Sequence, residues 1–550
     1  MKTVSRRRFL KKATQASMAV AASSALGRFG LAQGSPKATR VIIDSNRQIA
    51  PIDRHLFGSF LEHLGRAIYG GIYEPNSKFA DANGFRTDVM KEVRDLGVPI
   101  VRYPGGNFVS GYHWLDGVGP KKDRPTVLDR AWNTLETNQF GTNEFITWAR
   151  TVGTEPLFGL NFGTGTAEDA AALVEYCNVA KGTKWSELRR SHGYDQPHAV
   201  KYWCVGNEMD GPWQIGHMPA REYGIKATDA ARQMRVLDPS IKLIACGSSG
   251  PFMPTYIEWD RTVLEECYDE VDGISLHRYW GNTEENNNDS SKYLAMNLAM
   301  DRQIEEIVSV CDTVKAHKRS QKQLFLSFDE WNVWYRARSG DATNGHGTTA
   351  PHLLEEPYNL EDALLVGGLA NSLIRHSDRV KVACLAQLVN VIAPIMTNEN
   401  GTLRHSIYYP YAWALKHAQG RALSISPEGP TYEVATLGRP IESIGLPAPG
   451  FGAVPYLDVV ATLDAEKKTA SVFVLNRDLE KAQDLEINWR DLTPSRVTGF
   501  ETITGSDLKA VNTFAEPNRV VPQKLESPKV GSTMTLKLPA KSYSVLSLAL

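Results

Sequence analysis

Two glutamates, far apart in the chain, each close an apolar run. Glu208 ends Tyr202-Trp203-Cys204-Val205-Gly206-Asn207-Glu208, and Glu330 ends Leu324-Phe325-Leu326-Ser327-Phe328-Asp329-Glu330. A charged group at the end of an apolar strand is costly unless it is paired or solvated. Other apolar runs end the same way, in Glu62-His63, in Arg102-Tyr103-Pro104-Gly105-Gly106-Asn107 and in His277-Arg278-Tyr279-Trp280, and a last run carries Gln387 and Asn390. One such glutamate is as often structural as reactive, but this many polar endings on one face exceed what a solvated rim needs. A carboxyl pair so placed suits cleavage of a glycosidic bond, whose transition state resembles an oxocarbenium ion. One carboxyl group, protonated, releases the leaving alcohol, and the other, ionised, attacks the anomeric carbon. The negative neighbour itself helps raise the pKa of the acid.

The elements that would position these groups are legible between residues 53 and 409. Eight apolar runs occur there: His55–Glu62, Pro99–Gly106, Glu155–Gly163, Val200–Glu208, Ile241–Ser249, Val271–Tyr279, Gln323–Trp331 and Val382–Asn390. Amphipathic stretches separate them, among them Phe85–Leu96, Thr166–Ala180 and Leu360–His376. Thr166 with Asp169 has the spacing of a capping box. Alternating strands and helices predict a parallel sheet, and eight units predict an α/β (β/α)8 TIM barrel with its site at the C-terminal strand ends. Runs four and seven then lie on roughly opposite sides of the barrel, so Glu208 and Glu330 can meet over its mouth. A doubly wound sheet is the alternative, without a Gly-x-Gly-x-x-Gly after a strand to support it. After Pro410 a helical stretch, Tyr411–Gly420, closes the barrel. Short β-rich runs follow, Tyr456–Asp464, Thr469–Leu475, Gln483–Ile487, Met534–Leu538 and Ser542–Leu550, and they read as a C-terminal all-β sandwich that packs on the barrel. The lone strand Thr39–Ser45 is expected to join it. The expected domains are therefore 1–32, a signal peptide; 33–52, the strand joining the sandwich; 53–420, the catalytic barrel; and 421–550, the sandwich.

Composition narrows the partners. Lys and Arg (61) balance Asp and Glu (62) for a net charge of -1, which argues against nucleic acid and fits a neutral ligand. Ser5-Arg6-Arg7-Arg8-Phe9-Leu10-Lys11, the apolar run Ala13 to Leu26 and the small residues Gly30-Leu31-Ala32 match a twin-arginine signal peptide, which predicts Tat export to the periplasm or medium. A basic tail is the bland reading of the same residues. No later segment has the ~18 uninterrupted apolar residues of a membrane span, so no membrane contact is expected after signal removal. The six cysteines lack Cys-x-x-Cys spacing and read as buried thiols, with neither a metal site nor a cofactor expected.

The chain resembles the α-L-arabinofuranosidases of glycoside hydrolase family 51, retaining barrel glycosidases of a large clan. The resemblance rests on Phe60-Leu61-Glu62-His63-Leu64-Gly65-Arg66 with Tyr69-Gly70-Gly71-Ile72-Tyr73, on Val101-Arg102-Tyr103-Pro104-Gly105-Gly106-Asn107-Phe108, and on Gly206-Asn207-Glu208-Met209-Asp210-Gly211-Pro212-Trp213. Ser275-Leu276-His277-Arg278-Tyr279 and Asp329-Glu330-Trp331-Asn332-Val333-Trp334-Tyr335 complete the set. Asn-Glu after a strand is common to the clan; the ordered set is specific. The resemblance implies Glu208 as acid/base and Glu330 as nucleophile. It implies that Asn207 binds the sugar 2-hydroxyl, that Glu62, Asn107 and Gln387 bind further hydroxyls, and that Arg102 and Tyr279 bond the nucleophile. His277 would lie near the acid/base, and Trp334 and Trp132 could wall the pocket; each has plain packing as its bland reading. Arabinose-containing plant polysaccharides or oligosaccharides are the implied substrates, and a homo-oligomer the implied assembly. The polar loop Arg336–Pro357 is expected to form a lid or rim that governs the leaving group. An endo-glycanase, another exo-glycosidase of the clan, and a non-catalytic sugar-binding protein are the other readings.

Overall fold

The computed structural model describes residues 38–283, 286–338, 347–441 and 446–550. Eight parallel strands close a barrel in chain order: Gly58–Phe60, Ile100–Tyr103, Glu155–Gly159, Tyr202–Val205, Lys242–Ala245, Gly273–Trp280, Phe325–Val333 and Val380–Ala386. The last pairs with the first, with Cys384 opposite Gly58 and Ala386 opposite Phe60. Parallel strands covered by helices are buried on both faces, which is why they read as continuous apolar runs. Several are shorter than those runs. The first strand spans three residues, and Gln387 and Asn390 lie in the loop beyond strand eight.

The helices begin and end on local chemistry. Ala167–Asn178 starts at Thr166, whose hydroxyl accepts the Asp169 N–H while the Asp169 carboxylate accepts the Thr166 N–H at 2.8 Å. Thr87–Leu96 stops at Gly97, which takes the left-handed φ of 76° that glycine tolerates best. Below the barrel, Tyr408–His417 places Tyr411 so that its hydroxyl donates to the Gly58 carbonyl.

Ten of the remaining strands form a sandwich of two sheets. Thr39–Ile43 pairs in parallel with Gln483–Trp489, which pairs with Thr533–Leu538. The facing seven-stranded sheet runs Gln48–Pro51, Arg421–Leu423, Leu457–Asp464, Thr469–Asn476, Ser542–Ala549, Arg496–Ile503, Gln523–Lys524. Strand residues point alternately to opposite faces, and this sheet uses both. Val459, Ala461 and Val472 enter the sandwich core, whereas Val460, Phe473 and Tyr543 belong to the barrel's core. The helix Leu360–Arg375 lies between barrel and sheet and is buried along almost its whole length.

Candidate active site

The site is built at the C-terminal ends of the barrel strands. Strand two delivers Arg102, wholly buried, with Nη1 donating to Glu330 Oε2 at 2.9 Å and Nη2 to Asn207 Oδ1 at 2.6 Å. Strand six delivers Tyr279, whose hydroxyl donates to Glu330 Oε1 at 2.7 Å. Each oxygen of Glu330 therefore accepts one strong hydrogen bond, and one donor is a cation. Burial opposes the charge on Arg102, but Asp329, Cys204 and Glu330 hold its pKa well above the usual value.

Glu208 follows strand four on a backbone turned to φ 46°, two residues after Gly206 at φ 101°. Its Oε2 accepts the indole N–H of Trp213 at 2.8 Å, and its Oε1 faces His277 Nδ1 at 3.1 Å. Burial raises the Glu208 pKa and the Glu330 charge adds to this, while the contacts with His277 and Trp213 oppose it. The pKa of His277 is raised too, but against its burial. Burial pulls its pKa down, but Glu330, Asp329 and Glu208 together carry it to about 10. A carboxylate oxygen of Glu208 lies within 4.8 Å of one of Glu330. That proximity matches the close pairing used in double displacement, ~5–5.5 Å between carboxyl groups.

A third carboxyl group lies beside this pair. Glu62 follows strand one, and its Oε1 accepts the Phe108 backbone N–H at 2.8 Å and the Trp132 indole N–H at 2.9 Å. Burial, with a contribution from Glu330, raises its pKa to about 8 against the pull of Phe108. Its own N–H donates to Gln387 Oε1 at 2.9 Å. Gly105 and Gly106 let the loop after strand two lie against these acids. A Cβ on Gly105 would meet Glu62 Cγ at 2.7 Å, and one on Gly106 would meet Glu62 Oε2 at 3.3 Å and Glu330 Oε2 at 3.5 Å. Asn107 opens the helical turn that follows, and Trp334 stands edge-on to Tyr279 with ring centres 5.3 Å apart.

The structure thus gathers Glu208, Glu330, Arg102, Asn207, His277 and Tyr279 into one bonded cluster. Glu62 and Gln387 lie beside it, and Asn107 and Trp334 stand on its border. Trp132 reaches Glu62 from the hairpin Val127–Glu136, which also bonds the segment after strand seven: Leu135 N–H donates to the Thr348 carbonyl and Gly347 N–H to that of Asn133. Part of the expected lid, residues 339–346, lies outside the described residues. The sequence reading assigns no part to Trp213 or Asp329, both of which touch the cluster. Among the described residues, Glu208, His277 and Glu330 are the one group whose ligand atoms converge as a metal would require. Arg102 and Tyr279 each bond one oxygen of Glu330, and Trp213 bonds one oxygen of Glu208. All six cysteines are buried free thiols.

Residues 92–293 match the α-L-arabinofuranosidase 1 domain, and residues 329–542 the α-L-arabinofuranosidase C-terminal domain. The intracellular exo-α-(1→5)-L-arabinofuranosidase 1 of Bacillus subtilis is 46% identical over 93% of this chain and 99% of its own length. The exo-α-(1→6)-L-arabinofuranosidase of Bifidobacterium longum is 43% identical over 89% of this chain and 92% of its own. A family 51 α-L-arabinofuranosidase structure from Bifidobacterium longum superposes with a TM-score of 0.86 at 37% identity, covering 93% of this chain and 99% of that one. These comparisons also correct one expectation. Residues 1–32 were expected to direct twin-arginine export to the periplasm or medium. The relatives from Bacillus subtilis, Halalkalibacterium halodurans, Acetivibrio thermocellus and Streptomyces lividans are named intracellular, so export is not supported. The physical signal was weak, because three arginines before an Ala- and Ser-rich run also make a basic tail; residues 1–37 lie outside the described residues. With two family models along the chain and relatives aligned over nearly all of it, the chain belongs to the α-L-arabinofuranosidases of glycoside hydrolase family 51.

Proposed function

We propose that this protein is a retaining, exo-acting α-L-arabinofuranosidase that removes terminal arabinofuranosyl residues from arabinan, arabinoxylan or their oligosaccharides. In this reading residues 53–420 form the catalytic barrel, and residues 33–52 and 421–550 the supporting sandwich. The observation that carries it is the close pair Glu208 and Glu330 with opposite surroundings. Glu330 accepts one bond from a cation and one from a phenol. Glu208 is buried beside that negative charge, which favours a carboxylic acid.

The chemistry follows from the assignment. Glu330 attacks the anomeric carbon as the glycosidic bond breaks, and Glu208 gives its proton to the departing oxygen. The sugar is then held as an ester on Glu330. Glu208, now ionised, takes a proton from water, the water oxygen bonds to the anomeric carbon, and Glu330 departs. Two inversions retain the configuration. Asn207, Glu62, Asn107 and Gln387 are proposed to hold the furanose hydroxyls, and Trp132 and Trp334 to wall the pocket. Five of the relatives are named for α-(1→5) linkages, so linear arabino-oligosaccharides are the first substrate to try. A homo-oligomer belongs to the same proposal and is read by light scattering.

The test uses nitrophenyl α-L-arabinofuranoside. The wild type should hydrolyse it, and Glu330→Ala should lose more than about 10⁴-fold in kcat, beyond what a lost general acid costs. Azide should restore part of that loss and give a product of inverted configuration. Full turnover by Glu330→Ala would sink the assignment; no hydrolysis by the wild type would favour another glycosidase of the clan.

A further inference from the structure

Asp329 precedes Glu330 on strand seven, and regular alternation would send the two side chains to opposite faces. They are not so divided. Strand seven spends three residues from Ser327 to Glu330 where strand six spends two, Ser275 to His277, and three from Phe328 to Trp331 where strand eight spends two, Ala383 to Leu385. A bulge of this kind re-aims a side chain. Asp329 has no exposed surface, and both of its oxygens face cations. Oδ2 lies 3.3 Å from Arg102 Nε and accepts the Cys204 thiol at 3.1 Å, and Oδ1 lies 3.5 Å from His277 Nε2. The other sides of the same two cations meet Glu330 and Glu208.

We propose that Asp329 is a positioning residue: it holds Arg102 and His277 from behind and supplies the negative charge that keeps the transferable proton on Glu208. The inference rests on the roles given above to Glu208 and Glu330. Two buried cations, Arg102 and His277, face three carboxyl groups, Asp329, Glu330 and Glu208. If Asp329 and Glu330 are ionised, the cluster is neutral when Glu208 carries its proton. The other titratable groups packed against it are Tyr279, Glu62 and the buried thiols of Cys204, Cys246 and Cys384. None of these adds a cation. Without the Asp329 charge, every remaining group of the cluster binds its proton less tightly.

The experiment is the pH profile of kcat/KM on an arabino-oligosaccharide for Asp329→Asn, beside wild type and Cys204→Ser. The alkaline limb should move down by about one pH unit or more in Asp329→Asn, the size of effect a close charge exerts. Cys204→Ser touches the same carboxylate without changing charge, and its limb should stay at the wild-type position. A uniform loss at every pH, with the limb unmoved, is what a purely structural Asp329 would give and overturns the proposal. Should the asparagine variant not fold, imidazole ¹⁵N signals of the wild type decide. His277, assigned by its absence in His277→Gln, should carry protons on both nitrogens at neutral pH, and a neutral ring overturns the proposal. Failure of the underlying reading looks different, because Glu330→Ala would then keep its turnover.

Discussion

Two ion clusters sit in this molecule, one buried at the barrel mouth and one partly buried at the seam between barrel and sandwich. At the seam, Arg375 donates to Asp301 at 2.9 Å and to Asp458 at 2.5 Å. Asn297 and Asn371 donate to Asp458, and Arg477 donates to Asn297 at 2.7 Å. Two guanidiniums and the His376 imidazole, 3.1 Å from Asp301, face two aspartates, and both amides bond Asp458. Burial would raise the Asp301 pKa, yet Arg375 and His376 hold it below the ordinary value. At the mouth the count differs by one carboxyl group even before Glu62 is included, and Glu208 is pushed the other way. Burial alone therefore does not make a buried acid reactive. A balanced cluster locks its protons, and an unbalanced one keeps a proton that can be given away.

The contrast can be broken from either side. The largest effect is expected at the mouth. Glu208→Ala should lower kcat/KM on arabino-oligosaccharides by about 10²–10⁴-fold, the usual share of a general acid, and far less on an aryl glycoside with an activated leaving group. Equal losses on both substrates would remove the proton from the account. Next comes the seam. Arg375→Met removes the cation shared by Asp301 and Asp458 and should cost about 1–3 kcal/mol of stability, read as a lower unfolding midpoint, with kcat at moderate temperature and its pH profile unchanged. The smallest effect sharpens the geometry. Gly105→Ala drives a methyl group into Glu62 and should lower kcat/KM about tenfold, roughly 1.4 kcal/mol of transition-state stabilisation, mostly through KM.

How much of this could be read beforehand follows from which forces leave a periodic trace. The eight barrel strands were legible because burial on both faces writes unbroken apolar runs. The first sandwich strand was legible because its burial alternates. Strand Arg496–Ile503 was missed; its apolar pattern is broken by Gly499 and by polar residues facing water. The hairpin carrying Trp132 has strands of three residues, too short for any periodicity. The clustering of Glu208, Glu330, Arg102, Asn207 and Tyr279 was foreseen from strand ends and from the family resemblance. Asp329 was not, because a one-residue bulge leaves no mark in composition or spacing. Trp213 reaches Glu208 only through the conformation of a loop, which alternation and helical pitch do not encode.

The left-handed backbone at Glu208 carries a consequence for durability. A non-glycine residue there costs about 1 kcal/mol or more, in a molecule whose margin of stability is small. Glycine would relax that turn, so a Glu208→Gly protein should outlast its Glu208→Ala counterpart on heating while being equally slowed on arabino-oligosaccharides. Selection for robustness alone would have removed the glutamate, and its presence at φ 46° marks a peptide where endurance was given up for work.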